Sequence, residues 1–362
     1  MFHHKGLLKG FYKTFFLLVV LFIQLYIHVE SQSIPSDFFL DVSGISISAI
    51  SKYVCTLEAV PSVEVGGRAV CWGMGESENL KPPDDHLFIQ IITTNKFACG
   101  ITVEQRAFCW GQHYGGETME IEGLYTQLTG SDMFACGVLV DGNINCWPGD
   151  LTSTPVPPEK GKYDFVQVSC SSSHCAGLDK NAHVISWDFK GIHGENDYMM
   201  ESNPRSLRPP LVEISVKEGP DDFYIDDEED EEAKVEEEEE KVIRHMLFKQ
   251  ISVSHGYTCG ILYEDASLYC WGNIFGIRVP FVKQGPFRQV STGKYGVCTI
   301  QDETNALECN GVITKFFKPK DIEYDEISVG EHVTCTVGVD STVGCQSIYA
   351  ELRNVPTDLI LA

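Results

Sequence analysis

From Ile47 onward, apolar and polar residues alternate in short runs rich in Val, Ile, Phe and Tyr, each run bounded by Gly, Asp, Asn or Ser. A period of two belongs to strands with one buried face, whereas an amphipathic helix repeats at three- and four-residue steps. The alternation predicts an all-β chain.

The strand pattern is itself repeated. Phe248 begins FKQISVSHGYTCGILYEDASLYCWG, Phe88 begins FIQIITTNKFACGITVEQRAFCWG and Tyr125 begins YTQLTGSDMFACGVLVDGNINCW. Related segments start at Phe165, Phe287 and Tyr324, and a less regular one starts at Ile47. The shared frame is an aromatic residue, then a polar-aliphatic-Ser/Thr step, then Cys-Gly-aliphatic eight positions beyond the aliphatic anchor. The anchors Ile47, Ile91, Leu128, Val168, Ile251, Val290 and Ile327 are spaced 44, 37, 40, 83, 39 and 37 residues apart. Multi-stranded units of about 40 residues match propeller blades. The doubled interval admits two ring sizes. Val212-Glu213-Ile214-Ser215 resembles the first strand of a degenerate eighth unit, or the whole interval is an insertion in a ring of seven. A single β-propeller over residues 38–362 is expected, with seven blades preferred.

Composition adds a covalent framework. Fourteen cysteines pair by position within units: Cys55 with Cys71, Cys99 with Cys109, Cys136 with Cys146, Cys259 with Cys270, Cys298 with Cys309 and Cys335 with Cys345. Residues equidistant from a hairpin turn face each other about 4.5–5.5 Å apart, within the reach of a disulfide. Asp141-Gly142, midway between Cys136 and Cys146, predicts a two-residue hairpin connection. The fourth unit is an internal test. Ala176 and Ser186 stand where its two cysteines belong, so both partners are missing together, as expected of a bond and not of independent ligands. Cys170 and Cys175 are left to pair with each other. The common spacing is also too wide for a zinc knuckle, and no Cys-x-x-Cys redox motif occurs, so no metal and no cofactor are expected.

The N-terminus bears on compartment. His3, His4, Lys5, Lys9 and Lys13 precede an apolar run from Phe15 to Ile27, and Val29-Glu30-Ser31 suits signal cleavage. Residues 1–31 therefore read as a signal peptide and the chain as secreted, the alternative being tethering by an uncleaved signal anchor. The formal net charge of −25 argues against a nucleic-acid partner, and none is expected. Fifteen acidic residues against Lys234 and Lys241 lie between Glu218 and Lys241, leaving −12 for the rest of the chain. Residues 218–241 are expected to be a disordered acidic insertion within the propeller.

The unit F-x-Q-I-S…C-G-I…C-W-G resembles the repeat of the regulator of chromosome condensation family, and more closely its disulfide-bearing extracellular branch, the crinkly-type receptor-kinase ectodomains. The resemblance spans about Ile45 to the C-terminus and implies a β-propeller, usually of seven blades. No kinase domain follows in this sequence, and the signal, cysteines and charge do not suit the guanine-nucleotide exchange role of nuclear members.

Catalytic signatures are missing: no phosphate-binding loop, no His-Glu-x-x-His and no Gly-x-Ser-x-Gly occur. His174 falls in the slot of Phe134 and Tyr257 and reads as a packed blade residue; Trp72, Trp110, Trp147, Trp187 and Trp271 are expected to pack between blades. Asp221 to Asp230 lacks the Gly and terminal Glu of a calcium loop and reads as a solvated charge run. A non-enzymatic recognition module is expected, binding an extracellular protein or glycan through face loops, above all His193–Lys241, with basic proteins or cationic wall polymers as candidate partners. The alternatives are a propeller-type enzyme inhibitor or a relative of receptor ectodomains acting in signalling.

Overall fold

In the computed structural model the described residues are 47–49, 53–61, 65–73, 81–131, 133–147, 154–188, 191–193, 211–216, 240–273, 280–347, 353 and 355; for 47–49, 191–193, 211–216 and 240–245 the description is of the backbone. The signal region and residues 217–239 lie outside them.

The described residues form seven successive repeat units of antiparallel strands. Unit 5 shows the frame: Phe248–Ser254, Tyr257–Leu262 and Leu268–Gly272 pair in order, with a short outer strand, Phe281–Lys283. The first strands of the other units are Ile47–Ala49, Phe88–Thr93, Thr118–Gly130, Phe165–Cys170, Phe287–Gly293 and Tyr324–Val329. Thr118–Gly130 is long because it serves twice. Its first half pairs with Arg106–Gly111 as the outer strand of unit 2, and its second half pairs with Ala135–Leu139 as the inner strand of unit 3.

The repeat motif has a steric cause. In units 2 to 7 the first strand carries a bulge between the aromatic residue and the position two beyond it, which turns the ring over the second strand. In four units a glycine follows the first cysteine position, Ala176 in unit 4, and lies under that ring. A methyl group at Gly100, Gly137, Gly177 or Gly260 would come within 2.4–2.6 Å of neighbouring side-chain carbons, principally of Phe88, Tyr125, Phe165 and Phe248. Units 1, 6 and 7 carry Thr56, Thr299 and Thr336 at this position.

The core is divided among seven clusters, each joining two neighbouring units. Trp110 packs on Cys55, Leu57 and Ala69 of unit 1, Trp147 on Cys99 and Cys109 of unit 2, Trp187 on Phe134 and Cys136 of unit 3, and Trp271 on Ala176 and Leu178 of unit 4. Phe287 and Val290 join unit 6 to Cys259 and Cys270 of unit 5, and Tyr324 and Ile327 join unit 7 to Cys298 and Ile300 of unit 6. The circuit closes where Trp72 meets Val333, Cys335 and Val337 of unit 7. The tryptophans thus occupy the places between units that their position in the repeat predicts.

The doubled interval contains two strands of its own. Leu211–Val216 pairs with Glu240–His245 as a separate two-stranded sheet, with Ser215 opposite Lys241. Val212 to Ser215 do form a strand, as the repeat resemblance predicts, but its partner is not a Cys-Gly-aliphatic second strand. Glu240 and Lys241 belong to this pairing, so the acidic stretch ends in regular structure at least two residues before its expected boundary. The ring does not open to admit the pair, because Phe165–Cys170 of unit 4 contacts Phe248–Ser254 of unit 5 directly.

The turn at Asp141-Gly142 differs from the two-residue connection expected. Gly142 N–H donates to the Leu139 carbonyl and Leu139 N–H to the Asn143 carbonyl, with Gly142 at φ 77°. This is a three-residue loop, a four-residue turn ending in a left-handed residue. The same turn places Gln105, Ala182 and Ser341 at φ 65°, 65° and 63°. A side chain there is strained, and Gln105 is exposed with no packing to lose. Gln105→Gly is expected to raise stability by about 0.5–1 kcal/mol, read as an increased denaturant midpoint at constant slope.

Candidate functional site

The cysteines are brought together as a scaffold. All seven expected disulfides are present, with Cα–Cα separations of 4.0–4.1 Å. This is closer than the range expected from hairpin geometry. Six bonds join residues in direct register between second and third strands, such as Cys259 with Cys270. In unit 4 Ala176 faces Ser186 at that position, and Cys170 is bonded to Cys175 at the end of the first hairpin. The sulfurs of Cys136, Cys170 and Cys175 lie within 4.8 Å of one another, but each is already in a disulfide and none is a thiolate ligand.

Side chains of the repeat latch units 2 to 7 in succession. Gln90 Oε1 accepts the Leu128 N–H at 2.7 Å, Gln127 that of Val168 at 2.8 Å, Gln167 that of Ile251 at 2.9 Å, Gln250 that of Val290 at 2.8 Å and Gln289 that of Ile327 at 3.1 Å. Two positions on, Thr129, Ser169, Ser252 and Ser291 accept the N–H groups of Cys170, Val253, Thr292 and Val329. His174 is one of these ties: it is fully buried, with Nε2 2.9 Å from Thr258 Oγ1 of the next unit. Tyr257 performs the same task from its slot, its hydroxyl reaching the carbonyls of Gly293 and Gly296, while burial pushes the phenol's pKa well up and keeps it protonated. Gln250→Leu strands the Val290 N–H and is expected to cost about 1–3 kcal/mol, measured by chemical denaturation.

The first strands converge on an axial cavity of about 380 Å³ lined from units 2 to 7. Nearly half of its lining residues are Ser or Thr, and its rim carries Ser172, His255, Lys294 and Glu331 from the turns between first and second strands. Lys294 is ion-paired with Glu331, and Ser172 Oγ lies 3.1 Å from His255 Nδ1. Ser131 also lines the cavity, and its buried Oγ has no hydrogen-bond partner.

The two faces of the ring differ in charge. On the first-turn face the charges are mixed: Lys96 and Lys294 outnumber Glu331 by one, with His255 beside them. The opposite face carries the turns between second and third strands, with exposed Glu104, Asp141, Asp265, Glu303 and Asp340 in five units. The hydrogen bonds of Asn143 to Asp141, and of Thr342 to Asp340 at 2.6 Å, hold both carboxyls below their ordinary pKa, so they keep their charge to more acidic pH than an unassisted Asp. The segment between units 4 and 5 rejoins the ring on this acidic side, where Phe248 N–H donates to the Ala182 carbonyl and Tyr263 N–H to that of Leu247. Of His193–Lys241, the structure describes His193, Leu211–Val216 and Glu240–Lys241; Asp221 to Asp230 lie outside the described residues. Sequence reasoning missed the cavity, although its signal, the Ser or Thr after six of the seven aliphatic anchors, was part of the repeat frame.

No protein-family model and no curated protein matches the sequence. Solved structures do resemble it. The CRINKLY WD40 ectodomain of an Arabidopsis thaliana receptor kinase superposes with a TM-score of 0.58 at 18% identity, covering 87% of this chain and 98% of that one. The entire ectodomain of a Physcomitrella patens receptor kinase gives 0.58 at 16% identity, covering 87% and 76%. Prp20p from Saccharomyces cerevisiae gives 0.53 at 13% identity, covering 88% and 84%. The chain has the fold of regulator-of-chromosome-condensation-type repeats, an all-β propeller architecture with disulfides inside its units.

Proposed function

We propose that the protein is a secreted, non-enzymatic recognition module whose seven-bladed ring binds a basic extracellular protein through the acidic second-turn face. The observation that carries this reading is the placement of the inserted strand pair: it leaves the latch between units 4 and 5 intact and returns to the ring on the face where five turns expose carboxylates. The disulfides support an oxidising compartment. The likeness to receptor ectodomains supports an extracellular one, and Prp20p, solved with an account of its binding to Gsp1p and histones, supports the use of this architecture for protein partners. Opposite charge accelerates encounter and selects partners, and a ring held by disulfides loses little entropy on binding.

The test replaces residues 194–245 by a short Gly-Ser linker. The ring is expected to keep its seven disulfides and its melting temperature while losing capture of basic proteins from extracellular medium. Unchanged capture would overturn the reading, as would turnover in a hydrolase screen that co-purifies with the chain.

A further inference from the structure

We infer that the axial cavity is a second binding site, opening away from the acidic face and suited to a small neutral polyol the size of a single hexose. Its volume, about 380 Å³, lies in the range of ligand pockets, roughly 300–1,000 Å³. The chemistry follows from the latches. A serine or threonine hydroxyl has one hydrogen to donate and two lone pairs. Thr129, Ser169 and Ser291 each use a lone pair to accept an N–H of the next unit, at 3.2, 2.9 and 3.0 Å, which fixes the oxygen and leaves its hydrogen to give. Three units therefore present donors held in place by the ring itself.

Charge decides between a polyol and an anion. The cation of the rim, Lys294, is neutralised by Glu331, and His255 is engaged with Ser172. A ligand with many hydroxyls matches mixed donors and acceptors without net charge, while a phosphate or sulfate would meet Glu331 at the mouth. Val253 and Val329 also belong to the lining, so their methyl groups report on its occupancy. The site is independent of the acidic face, so its failure leaves the protein-recognition reading in place.

The experiment titrates the full-length folded protein, methyl-labelled at valine, with glucose, galactose, N-acetylglucosamine and myo-inositol, and separately with sodium sulfate. At least one polyol is expected to shift the Val253 and Val329 methyl resonances with a Kd on the order of 1 mM. Ser172→Trp, which plugs the mouth from an exposed position, is expected to weaken that binding at least tenfold with the disulfides and melting temperature unchanged. Lys294→Met is expected to leave it within about twofold. Shifts with sulfate alone, shifts confined to residues outside the cavity, or no shift with any of the four polyols would each overturn the proposal. If Ser172→Trp fails to fold, the valine shifts of the unaltered protein decide the matter.

Discussion

Trp110→Ala is expected to lower stability by about 3–5 kcal/mol, the cost of emptying a large buried site. Trp110 is fully buried, its ring centroid 5.4 Å from that of Phe88, and it is the largest group between units 1 and 2. The loss is a large fraction of the roughly 5–15 kcal/mol that holds a domain together. It should appear as a fall in melting temperature of about 4–8 °C for a domain of this size. A comparison isolates packing from hydrogen bonding. Trp187 is equally buried but its Nε1 has no hydrogen-bond partner, so Trp187→Phe removes a desolvated donor along with some volume. That change is expected to cost less than about 1.5 kcal/mol. If Trp110→Ala were as mild as Trp187→Phe, the tryptophans would not be what joins the units.

The second prediction restores what unit 4 lacks. Ala176 faces Ser186 in the register that Cys259 shares with Cys270, both are fully buried, and Ser186 Oγ has no partner to lose. The double substitution Ala176→Cys and Ser186→Cys is expected to form an additional disulfide. Closing a loop of about ten residues contributes roughly 2.5–3 kcal/mol by the chain-entropy estimate. Intact mass with and without alkylation counts the bond, and denaturation under oxidising and reducing conditions reads its effect. Free thiols at 176 and 186, or exchange that links either one to neighbouring Cys175, would show that the shared register does not carry the shared geometry.

These two predictions rest on features that differ in how openly the sequence displayed them. The disulfide ladder was legible because a two-residue strand period and a fixed spacing specify which positions face each other, and because unit 4 lost Cys at positions 176 and 186 as a pair. The tryptophans were legible as spacers, since one residue type recurs at one position of the repeat. The partner of Leu211–Val216 was not. Glu240–His245 has no Cys-Gly signal, and a charge run ending at Lys241 hides a strand whose pairing is set by a segment far away in sequence. The turn at Asp141-Gly142 was misread because the same dipeptide fits both a two-residue hairpin and the left-handed end of a three-residue one. The cavity was hidden for another reason. The serines after most of the aliphatic anchors look like ordinary strand residues until neighbouring units supply the N–H groups that fix Ser169 and Ser291 and the ring brings them to one axis.

The repeat-marked residues therefore build the ring, and the sidedness of its charge gives it a direction. Charge reversal on one face tests this most directly. Glu104→Lys with Glu303→Lys changes two exposed turns on the acidic side, and Gln112→Lys with Glu117→Lys makes a comparable change beside Lys96 on the other, where His113 N–H meets the Lys96 carbonyl. Both variants are expected to fold with seven disulfides. Binding to a basic protein captured by the unaltered chain should fall at least tenfold, and lose its salt dependence, in the first variant alone. Equal binding by both variants, or a loss confined to the second, would contradict recognition through the acidic face.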